Sequence, residues 1–293
     1  MAKPRPIRHA IEGGLAWASF GLLGLLPVGL ASALGGWLGR MVGPLTAVHR
    51  RAARNLARAL PELPPDEQRR TLHAMWDNLG RVAAEYPHLG RFAPYGARSR
   101  VEVVGAEHLD EAREDGKGGI FFSGHVGNWE VAALAVEKRG IPVALIYRAP
   151  NNPHVDRLIW RCRGPVADFR VPKGQAGARD ILRWLRSGGH LAMLVDQKMN
   201  DGIAVPFFGR DAMTAPALAE LALKYDVPAY PVRVERLNGA RFRITVFPKL
   251  EFARSGDKAA DVKAAMLKAN QVLEAWIRDR PDQWLWVHNR WPG

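Results

Sequence analysis

The segment Ile120-Phe-Phe-Ser-Gly-His-Val-Gly-Asn-Trp-Glu130 is the part of the chain from which the fold can be worked out. It starts as a short apolar run over Ile120–Ser123, passes through a glycine-containing turn, and continues as a helical pattern over Asn128–Arg139. A strand that leads directly into a helix is typical of open α/β sheets, where residues that follow the strand ends form the active site. The turn carries His125 and the start of the predicted helix carries Glu130, so both are candidate catalytic residues.

The same alternation of strand and helix patterns runs through the chain from about residue 100 onward. Apolar runs predict further strands at Pro142–Tyr147, Leu191–Val195, Ala229–Leu237 and Arg241–Phe247. Helical spacing predicts helices at Pro153–Arg163, Ala176–Ser187, Ala215–Tyr225 and Lys258–Asp279. The last two strands are joined at Asn238-Gly239, which favours a tight hairpin turn. We therefore predict an α/β fold with a mixed, largely parallel sheet flanked by helices and an antiparallel edge.

Composition and charge limit the classes of protein that fit. The chain has 293 residues, of which 47% are hydrophobic, and this is enough for a large folded domain and excludes a disordered chain. The single cysteine, Cys162, excludes a disulfide framework and a cysteine-based zinc cluster. The formal net charge of +13 predicts an anionic partner, which on composition alone is nucleic acid, anionic lipid or an acidic protein.

An uncharged stretch, Gly13–Gly39, lies near the start of the chain with basic residues on both sides. It exceeds the roughly 20 apolar residues that a spanning helix needs, so we predict an N-terminal membrane helix, either a kinked span or a re-entrant hairpin at Pro27. This gives a membrane anchor over residues 1–43 and a catalytic domain over residues 44–293, and the flanking basic residues predict that the catalytic domain faces the cytoplasm. A buried helix pair broken at Pro27 and a cleaved signal peptide remain as alternatives.

The segment after the predicted anchor, Pro44–Leu60, is predicted to be a basic amphipathic helix with arginines on one face: Arg51, Arg54 and Arg58. A second helix is predicted over Asp66–Glu85. We therefore expect residues 44–100 to form a helical, basic part of the catalytic domain that lies on an anionic membrane surface. The alternative is a solvated arginine face on an ordinary helix.

His125 and Glu130 have the chemistry of a base and its orienting acid. From the turn before the helix, His125 can fold back and hydrogen-bond Glu130 through one ring nitrogen, which leaves the other nitrogen to take a proton from a substrate hydroxyl. The chain has no G-x-S-x-G motif, and its H-x4-E spacing differs from the H-E-x-x-H of zinc proteases. A nucleophilic role of Ser123 and a purely structural His–Glu contact remain as alternatives.

Three blocks of sequence, in the same order, resemble the glycerolipid acyltransferase superfamily. These are the H-x4-E segment, the strand Ile141–Arg148 that ends in a basic residue, and the proline-containing strand start Val227–Val232. Where glycerol-phosphate enzymes of that superfamily have an E-G-T-R-S-like run, this chain has Leu194-Val-Asp-Gln-Lys198 followed by Val205-Pro-Phe-Phe-Gly209. Together with the N-terminal apolar stretch and the C-terminal Pro281–Trp291, this pattern resembles the late acyltransferases of lipid A biosynthesis, the lauroyl/myristoyl transferase family.

The resemblance implies transfer of a fatty acyl group from acyl-acyl carrier protein to a hydroxyl of a lipid A precursor, with no metal ion or other cofactor. It implies that His125 is the general base and Glu130 its orienter. Backbone N–H groups near Gly127 and Asn128 are candidates for part of an oxyanion site. The residues expected to bind substrate are Arg148, Asp196, Gln197, Asn128 and Arg170. Of these, Arg148 is expected to bind a phosphate and Asp196 to organise the site by hydrogen bonding.

The partners that we expect are acyl-acyl carrier protein, a lipid A precursor and the anionic inner membrane, with the catalytic domain on its cytoplasmic side. Nucleic acid ranks last, because the chain has no reader helix or aromatic-basic sheet motif. Two alternatives remain. One is an acyltransferase for another envelope lipid, such as a phospholipid, a glycolipid or an ornithine lipid, and the other is a non-catalytic basic protein that binds membranes.

Overall fold

A computed structural model describes residues 6–97, 99–147, 149–164, 169–172 and 175–291. The helices in these ranges are α1 (Pro6–Leu25), α2 (Val28–Val42), α3 (His49–Ala59), α4 (Pro65–Glu85), α5 (Ala106–Glu114), α6 (Ala132–Glu137), α7 (Pro153–Arg163), α8 (Gln175–Arg186), α9 (Ala217–Tyr225) and α10 (Lys258–Asp279). The strands are β1 (Val101–Val104), β2 (Gly119–Ser123), β3 (Val143–Tyr147), β4 (Phe169–Pro172), β5 (His190–Leu194), β6 (Lys198–Phe207), β7 (Arg210–Thr214), β8 (Ala229–Asn238) and β9 (Arg241–Val246). The bounds of α7 and α10 are those predicted from the sequence.

The central sheet has the strand order β1-β9-β8-β2-β5-β3-β4 among the described residues. Strands β8 and β9 pair antiparallel, and the other neighbours pair in parallel, so the predicted mixed, largely parallel sheet is confirmed. Helices α4, α9 and α10 contribute to the core on one face of the sheet, and α5 and α6 to the core on the other. The hairpin of β8 and β9 does not form the expected antiparallel edge of the sheet, because β1 pairs in parallel with β9 and is itself the edge strand.

Several elements were not predicted from the sequence, namely β1, α5, β4 and the hairpin of β6 and β7. Strands β6 and β7 pair antiparallel in a sheet of their own, with an irregularity between Lys198 and Ile203. This hairpin packs on α10 through Asn270, whose Nδ2 donates to the Pro206 carbonyl at 2.9 Å. The predicted helix over Asn128–Arg139 is shorter than expected, since Trp129–Val131 forms a 3-10 turn before α6 begins.

The N-terminal apolar stretch forms two helices, because Pro27 lies between the end of α1 at Leu25 and the start of α2 at Val28. Its uncharged residues are thereby divided into helical pieces of 13 and 12 residues. Each piece is about 20 Å long, against the roughly 30 Å of a bilayer core. No helix in the described part of the chain is long and apolar enough to cross a membrane. The prediction of a spanning N-terminal helix is therefore wrong.

Glycines in this stretch allow the backbones of α2 and α4 to touch. A Cβ atom on Gly35 would lie 2.4 Å from the Gly80 carbonyl oxygen, and one on Gly39 would lie 2.1 Å from the Trp76 carbonyl oxygen. Larger side chains at these positions would separate the helices. Helix α1 contacts α7, where Trp17 Nε1 donates to a backbone carbonyl at 3.3 Å. Both N-terminal helices are thus packed on the rest of the chain.

A buried ion pair joins α4 to β8. Arg236 Nη1 and Nη2 donate to Glu85 Oε1 and Oε2 at 2.6 and 2.9 Å, and Arg236 Nε donates to Asn78 Oδ1 at 2.7 Å. Ser32 of α2 donates its hydroxyl to Glu85 Oε1 at 2.6 Å. Buried charges are tolerated only when their hydrogen-bonding groups are satisfied in this way. The pair therefore fixes α2 and α4 against the sheet.

Helix α3 is basic and amphipathic, as predicted, although it begins at His49 and a 3-10 turn precedes it. Its buried face contains Ala52, Asn55 and Leu56, whereas its exposed arginines are Arg50, Arg54 and Arg58. Asn55 Nδ2 donates to the backbone carbonyls of Trp286 and His288 at 2.8 and 2.7 Å. This helix therefore holds the C-terminal segment next to the sheet.

Candidate active site

His125 and Asp196 follow two adjacent parallel strands. Strands β2 and β5 pair with Ser123 opposite Leu194, and each of the two polar residues comes two positions after its strand end. The carboxyl ends of adjacent parallel strands lie at the same edge of a sheet, so the side chains meet there. The distance from His125 Nδ1 to Asp196 Oδ1 is 2.7 Å.

The Asp196 carboxylate is fully buried and accepts three hydrogen bonds. Besides the bond from His125 Nδ1 to Oδ1, Oδ2 accepts from the His125 backbone N–H and from Trp284 Nε1, both at 2.8 Å. Burial raises the pKa of Asp196, but the neighbouring His125 lowers this pKa by a larger amount. The net pKa of Asp196 therefore lies well below its ordinary value. An ionised Asp196 keeps the His125 proton on Nδ1, so that Nε2 can act as an acceptor.

Gln197 lies between His125 and a second imidazole, His288. Its Nε2 is 3.0 Å from His125 Nε2 and 3.1 Å from His288 Nε2. Because an amide N–H₂ group only donates, both imidazole nitrogens accept from it. Burial and the nearby His125 lower the pKa of His288 to about 4, so His288 is neutral near pH 7. Among the described residues, no three His, Cys, Asp or Glu side chains are grouped as a metal site.

Glu130 does not make the predicted contact with His125. Its carboxylate instead receives two hydrogen bonds from Arg163, from Nε to Oε2 and from Nη2 to Oε1, both at 2.6 Å. The Tyr86 hydroxyl and Trp129 Nε1 also donate to Oε1, at 2.6 and 2.8 Å. The expectation that Glu130 orients His125 through a hydrogen bond is therefore wrong, because Asp196 takes that position and Arg163 takes the Glu130 carboxylate.

Glu130, Arg163 and Tyr86 form a second polar cluster, in which burial and charge shift the pKa of Glu130 in opposite directions. Burial raises the pKa of Glu130, whereas Arg163 lowers it, and the net pKa is below the ordinary value. Burial and the Glu130 charge raise the pKa of Tyr86 well above its ordinary value. The cluster therefore contains an ionised pair and a neutral phenol. It contacts His125 through Trp129, whose ring centroid lies 4.9 Å from that of His125.

The other predicted substrate-binding residues differ in position. Asn128 is fully buried, and its side chain accepts from the Glu130 backbone N–H at 3.2 Å and donates to Glu85 at 2.8 Å, so it supports the helix start and does not line the cleft. The Gly127 N–H, a candidate oxyanion donor, donates to the Gln283 carbonyl at 3.0 Å. Arg148 lies outside the described residues, and for Arg170 only the backbone position in β4 is described.

A cleft in front of His125 leads to an apolar pocket. The cleft is lined by His125, Gln197, Trp129, Tyr147, Arg163 and Leu218, among others. It shares Trp129, Tyr147 and Arg163 with a pocket between α6 and the strands β2, β3 and β5. The pocket wall is mainly apolar and includes Phe121, Ala133, Val136, Leu145 and Ala192. His125 therefore lies close to a pocket with a mainly apolar wall.

The sequence pattern does not assign Tyr86, Arg163 or His288 to the site. His288 belongs to the C-terminal block Pro281–Trp291, but the block offered no sign of which side chain points to His125. Tyr86 follows directly after α4. These residues come from distant parts of the chain, and only the fold brings them together.

The model of the bacterial lipid A biosynthesis acyltransferase family matches residues 5–292. The chain belongs to this family. The predicted family resemblance is thereby confirmed, as is the prediction of an acyltransferase.

Three relatives illustrate the range of this similarity. A lipid A biosynthesis acyltransferase from Haemophilus influenzae is 24% identical over 91% of this chain and 83% of its own length. A lipid A biosynthesis lauroyltransferase from Escherichia coli is 26% identical over 94% of this chain and 90% of its own length. A phosphatidylinositol mannoside acyltransferase from Mycolicibacterium smegmatis is 23% identical over 81% of this chain and 78% of its own length.

Proposed function

We propose that this acyltransferase transfers a fatty acyl group from acyl-acyl carrier protein to a hydroxyl of a lipid A precursor. The observation that carries the proposal is the position of His125 Nε2. Its ring is fixed by the buried Asp196 at 2.7 Å, and it faces a cleft that continues into an apolar pocket. A base beside a space for an acyl chain is the arrangement that direct acyl transfer to a hydroxyl requires.

In the proposed reaction, the acceptor hydroxyl binds at His125 Nε2 in place of the Gln197 amide. As its oxygen attacks the thioester carbonyl carbon, its proton passes to Nε2, and the Asp196 carboxylate stabilises the imidazolium. The C–O bond forms and the C–S bond breaks. The leaving thiolate takes the proton from His125, which returns to its neutral form. Base catalysis of this kind contributes about 10² to 10⁴-fold to the rate.

Glu130 has an indirect role in this proposal. Its charge is neutralised by Arg163, and it holds Trp129, whose ring packs against His125. Glu130 and Arg163 also line the apolar pocket near the cleft. We therefore assign Glu130 as a positioning residue that shapes the pocket wall and the surroundings of the base.

Membrane attachment is also part of the proposal, through an apolar face of α1 and α2. Large apolar side chains recur on the exposed side of both helices, at Ile7, Ile11, Leu15, Leu22 and Leu25 of α1 and at Leu30, Leu34, Trp37, Leu38 and Met41 of α2. Leu25, for example, is 82% exposed. Large apolar side chains exposed on two consecutive helices favour a lipid interface, and the exposed arginines of α3 suit anionic headgroups.

Acyl transfer is tested with purified protein, lauroyl- or myristoyl-acyl carrier protein and a lipid A precursor, with the product identified by mass spectrometry. We expect one added acyl ester in the presence of the wild-type chain, and a rate at least about 10²-fold lower for His125→Ala. No acylated product with any of these acyl donors would refute the proposed function. His108→Ala is the matched control, because His108 lies in α5, is not among the residues that line the cleft or the pocket, and bonds only Glu111 among the described residues.

The choice of acceptor needs a separate arm, because one relative is named phosphatidylinositol mannoside acyltransferase. The same assay is run with a phosphatidylinositol mannoside and with a lysophospholipid in place of the lipid A precursor. We expect transfer to the lipid A precursor to be the fastest. Preference for either of the other acceptors would keep the acyltransferase and overturn the assigned substrate.

The membrane proposal is tested by flotation of the protein with vesicles of neutral lipid alone or with added anionic lipid. We expect binding that is stronger on anionic vesicles and is lost when Leu22 and Leu25 are both replaced by Glu. Leu237→Glu is the control, since Leu237 is also an exposed apolar residue but lies at the end of β8. Failure of the wild-type chain to float with either vesicle would contradict the proposal.

A further inference from the structure

The Gln197 amide nitrogen marks a position that two imidazoles share. It lies 3.0 Å from His125 Nε2 and 3.1 Å from His288 Nε2. The centroids of the two imidazole rings are 5.0 Å apart, and the angle between the ring planes is 69°. A single polar atom between the two nitrogens can therefore hydrogen-bond to both. Gln197 is exposed and lines the cleft, so its side chain can leave this position when substrate enters.

A substrate hydroxyl needs this same position. To give its proton to His125 Nε2, its oxygen must come within about 3 Å of that nitrogen. The Gln197 amide now takes up that space, and the oxygen that replaces it has His288 Nε2 as its second neighbour. His288 is thereby placed at the reacting atom, although it is distant from His125 in the sequence.

The two imidazoles differ in what fixes their protons. Asp196 holds the His125 proton on Nδ1, whereas no hydrogen bond to His288 Nδ1 is found in the described part of the chain. The position of His288 is fixed through its backbone carbonyl, which accepts from Asn55 at 2.7 Å. Its lowered pKa, about 4, keeps it neutral near pH 7. It can therefore carry its one proton on Nε2 once the Gln197 amide has left, without competing for the substrate proton.

We propose that His288 is a further catalytic residue, which donates Nε2–H to the acceptor oxygen at the position that Gln197 occupies in the free protein. The inference rests on the proposed acyl transfer. Negative charge grows on the acceptor oxygen as its proton moves to His125, so a donor at this point stabilises the transition state more than the ground state. The His288 proton stays on His288 throughout, and the bonds made and broken are those of the base-catalysed step.

The test compares His288→Asn with His288→Gln. The amide nitrogen of Gln can reach the place of the imidazole Nε2, whereas that of Asn reaches only the place of Nδ1. We expect kcat to fall by about 10² to 10³-fold in the Asn variant with acceptor KM changed less than about threefold, and the Gln variant to recover most of this loss. A structural role would affect both variants alike, and equal kcat values for the two variants would overturn the proposal.

A second measurement uses Gln197→Ala, which removes the group that the hydroxyl must displace. We expect a fall of about fivefold in the acceptor KM, since about 1 kcal/mol of hydrogen bonding no longer opposes binding. A raised KM would show that Gln197 binds the acceptor and would contradict its displacement. The same assay distinguishes the proposed acyl transfer from the proposed role of His288. An inactive wild-type chain refutes the acyl transfer, whereas an active wild type with an equally active His288→Asn variant refutes only the role of His288.

Discussion

Replacing Asp196 by Asn tests whether this carboxylate sets the proton position of His125. Two donors, the His125 backbone N–H and Trp284 Nε1, both bond to Oδ2 at 2.8 Å. Neither donor can accept a hydrogen bond, so the oxygen of Asn must take the place of Oδ2. Its N–H₂ group then faces His125 Nδ1, which must become an acceptor. The imidazole proton is thereby moved to Nε2, the nitrogen that has to accept the substrate proton.

The size of the effect follows from this reversal. A wrong tautomer removes base catalysis, which contributes about 10² to 10⁴-fold, and the same change in the serine-protease triad lowers kcat about 10⁴-fold. We expect kcat of Asp196→Asn to fall about 10³ to 10⁴-fold, with KM for both substrates changed less than about threefold. The substitution is nearly isosteric, so the cleft keeps its shape.

The measurement is the single-turnover rate of acyl transfer, followed by mass spectrometry of the acceptor, together with the thermal unfolding midpoint of each protein. Asp201→Asn is the matched control, since Asp201 is an exposed residue of β6 and is not among the hydrogen-bond partners of His125 in the described part of the chain. A folded Asp196→Asn variant that keeps more than about a tenth of the wild-type kcat would refute the assignment of Asp196. Loss of base catalysis alone would lower kcat by at least about 10²-fold.

Other predictions concern stability. Gly39→Ala should lower the free energy of unfolding by about 1–3 kcal/mol, because its Cβ would overlap the α4 backbone. Gly14→Ala in α1 should raise the free energy of unfolding by up to about 1 kcal/mol, because a Cβ there meets nothing within 4 Å. Urea unfolding measures both changes. Arg236→Met should cost about 3–5 kcal/mol because Glu85 is left buried and unpaired, and the additional change Glu85→Met should restore part of it. The pKa of His288 is about 4 in the folded chain against an ordinary 6.5, so the unfolded chain binds a proton at this residue more readily. The contribution of neutral His288 to the free energy of unfolding is therefore complete above pH 6.5 and is lost as the pH falls toward 4. Urea unfolding at pH 7.5 and 4.5 should show a pH-dependent loss that is about 2–3 kcal/mol larger for wild type than for His288→Gln.

The parts of the fold that the sequence predicted are those whose pattern is set by burial. Strand β2 contributes to the core on both faces, with Phe122 on one side and Phe121 on the other, so it reads as a continuous apolar run. Helix α10 has an Asp257 N-cap and a regular buried stripe, and its bounds were predicted to the residue. Strand β6, by contrast, begins with polar residues and contains Gly202, and nothing in this composition distinguishes it from a loop.

The N-terminal stretch differs from the predicted spanning helix for a physical reason. Its lack of charge is compatible with lipid and with close helix packing, and hydropathy alone does not separate the two. The glycines of α2 serve contact with α4, as Gly35 and Gly39 show, while leucines on the other side of the same helix remain exposed. One segment thus has two different faces, and the break at Pro27 divides it into two helices, neither of which is long and apolar enough to cross a membrane.

The site shows the same limit, since the H-x4-E spacing suggests a local pair whereas the orienting acid comes from the neighbouring strand. The partners of the two carboxylates decide what each can do. Among the described residues, Asp196 accepts hydrogen bonds only from N–H groups of His125 and Trp284, so its charge remains available to an imidazolium at 2.7 Å. The charge of Glu130 is already balanced by Arg163 at 2.6 Å, and a balanced charge stabilises a second cation poorly.

Glu130→Gln should accordingly act through the pocket wall, raising KM for the acyl donor more than it lowers kcat, whereas Asp196→Asn lowers kcat alone. Kinetics with varied acyl-acyl carrier protein would distinguish them, and a pure kcat loss in Glu130→Gln would return the role of orienting acid to Glu130.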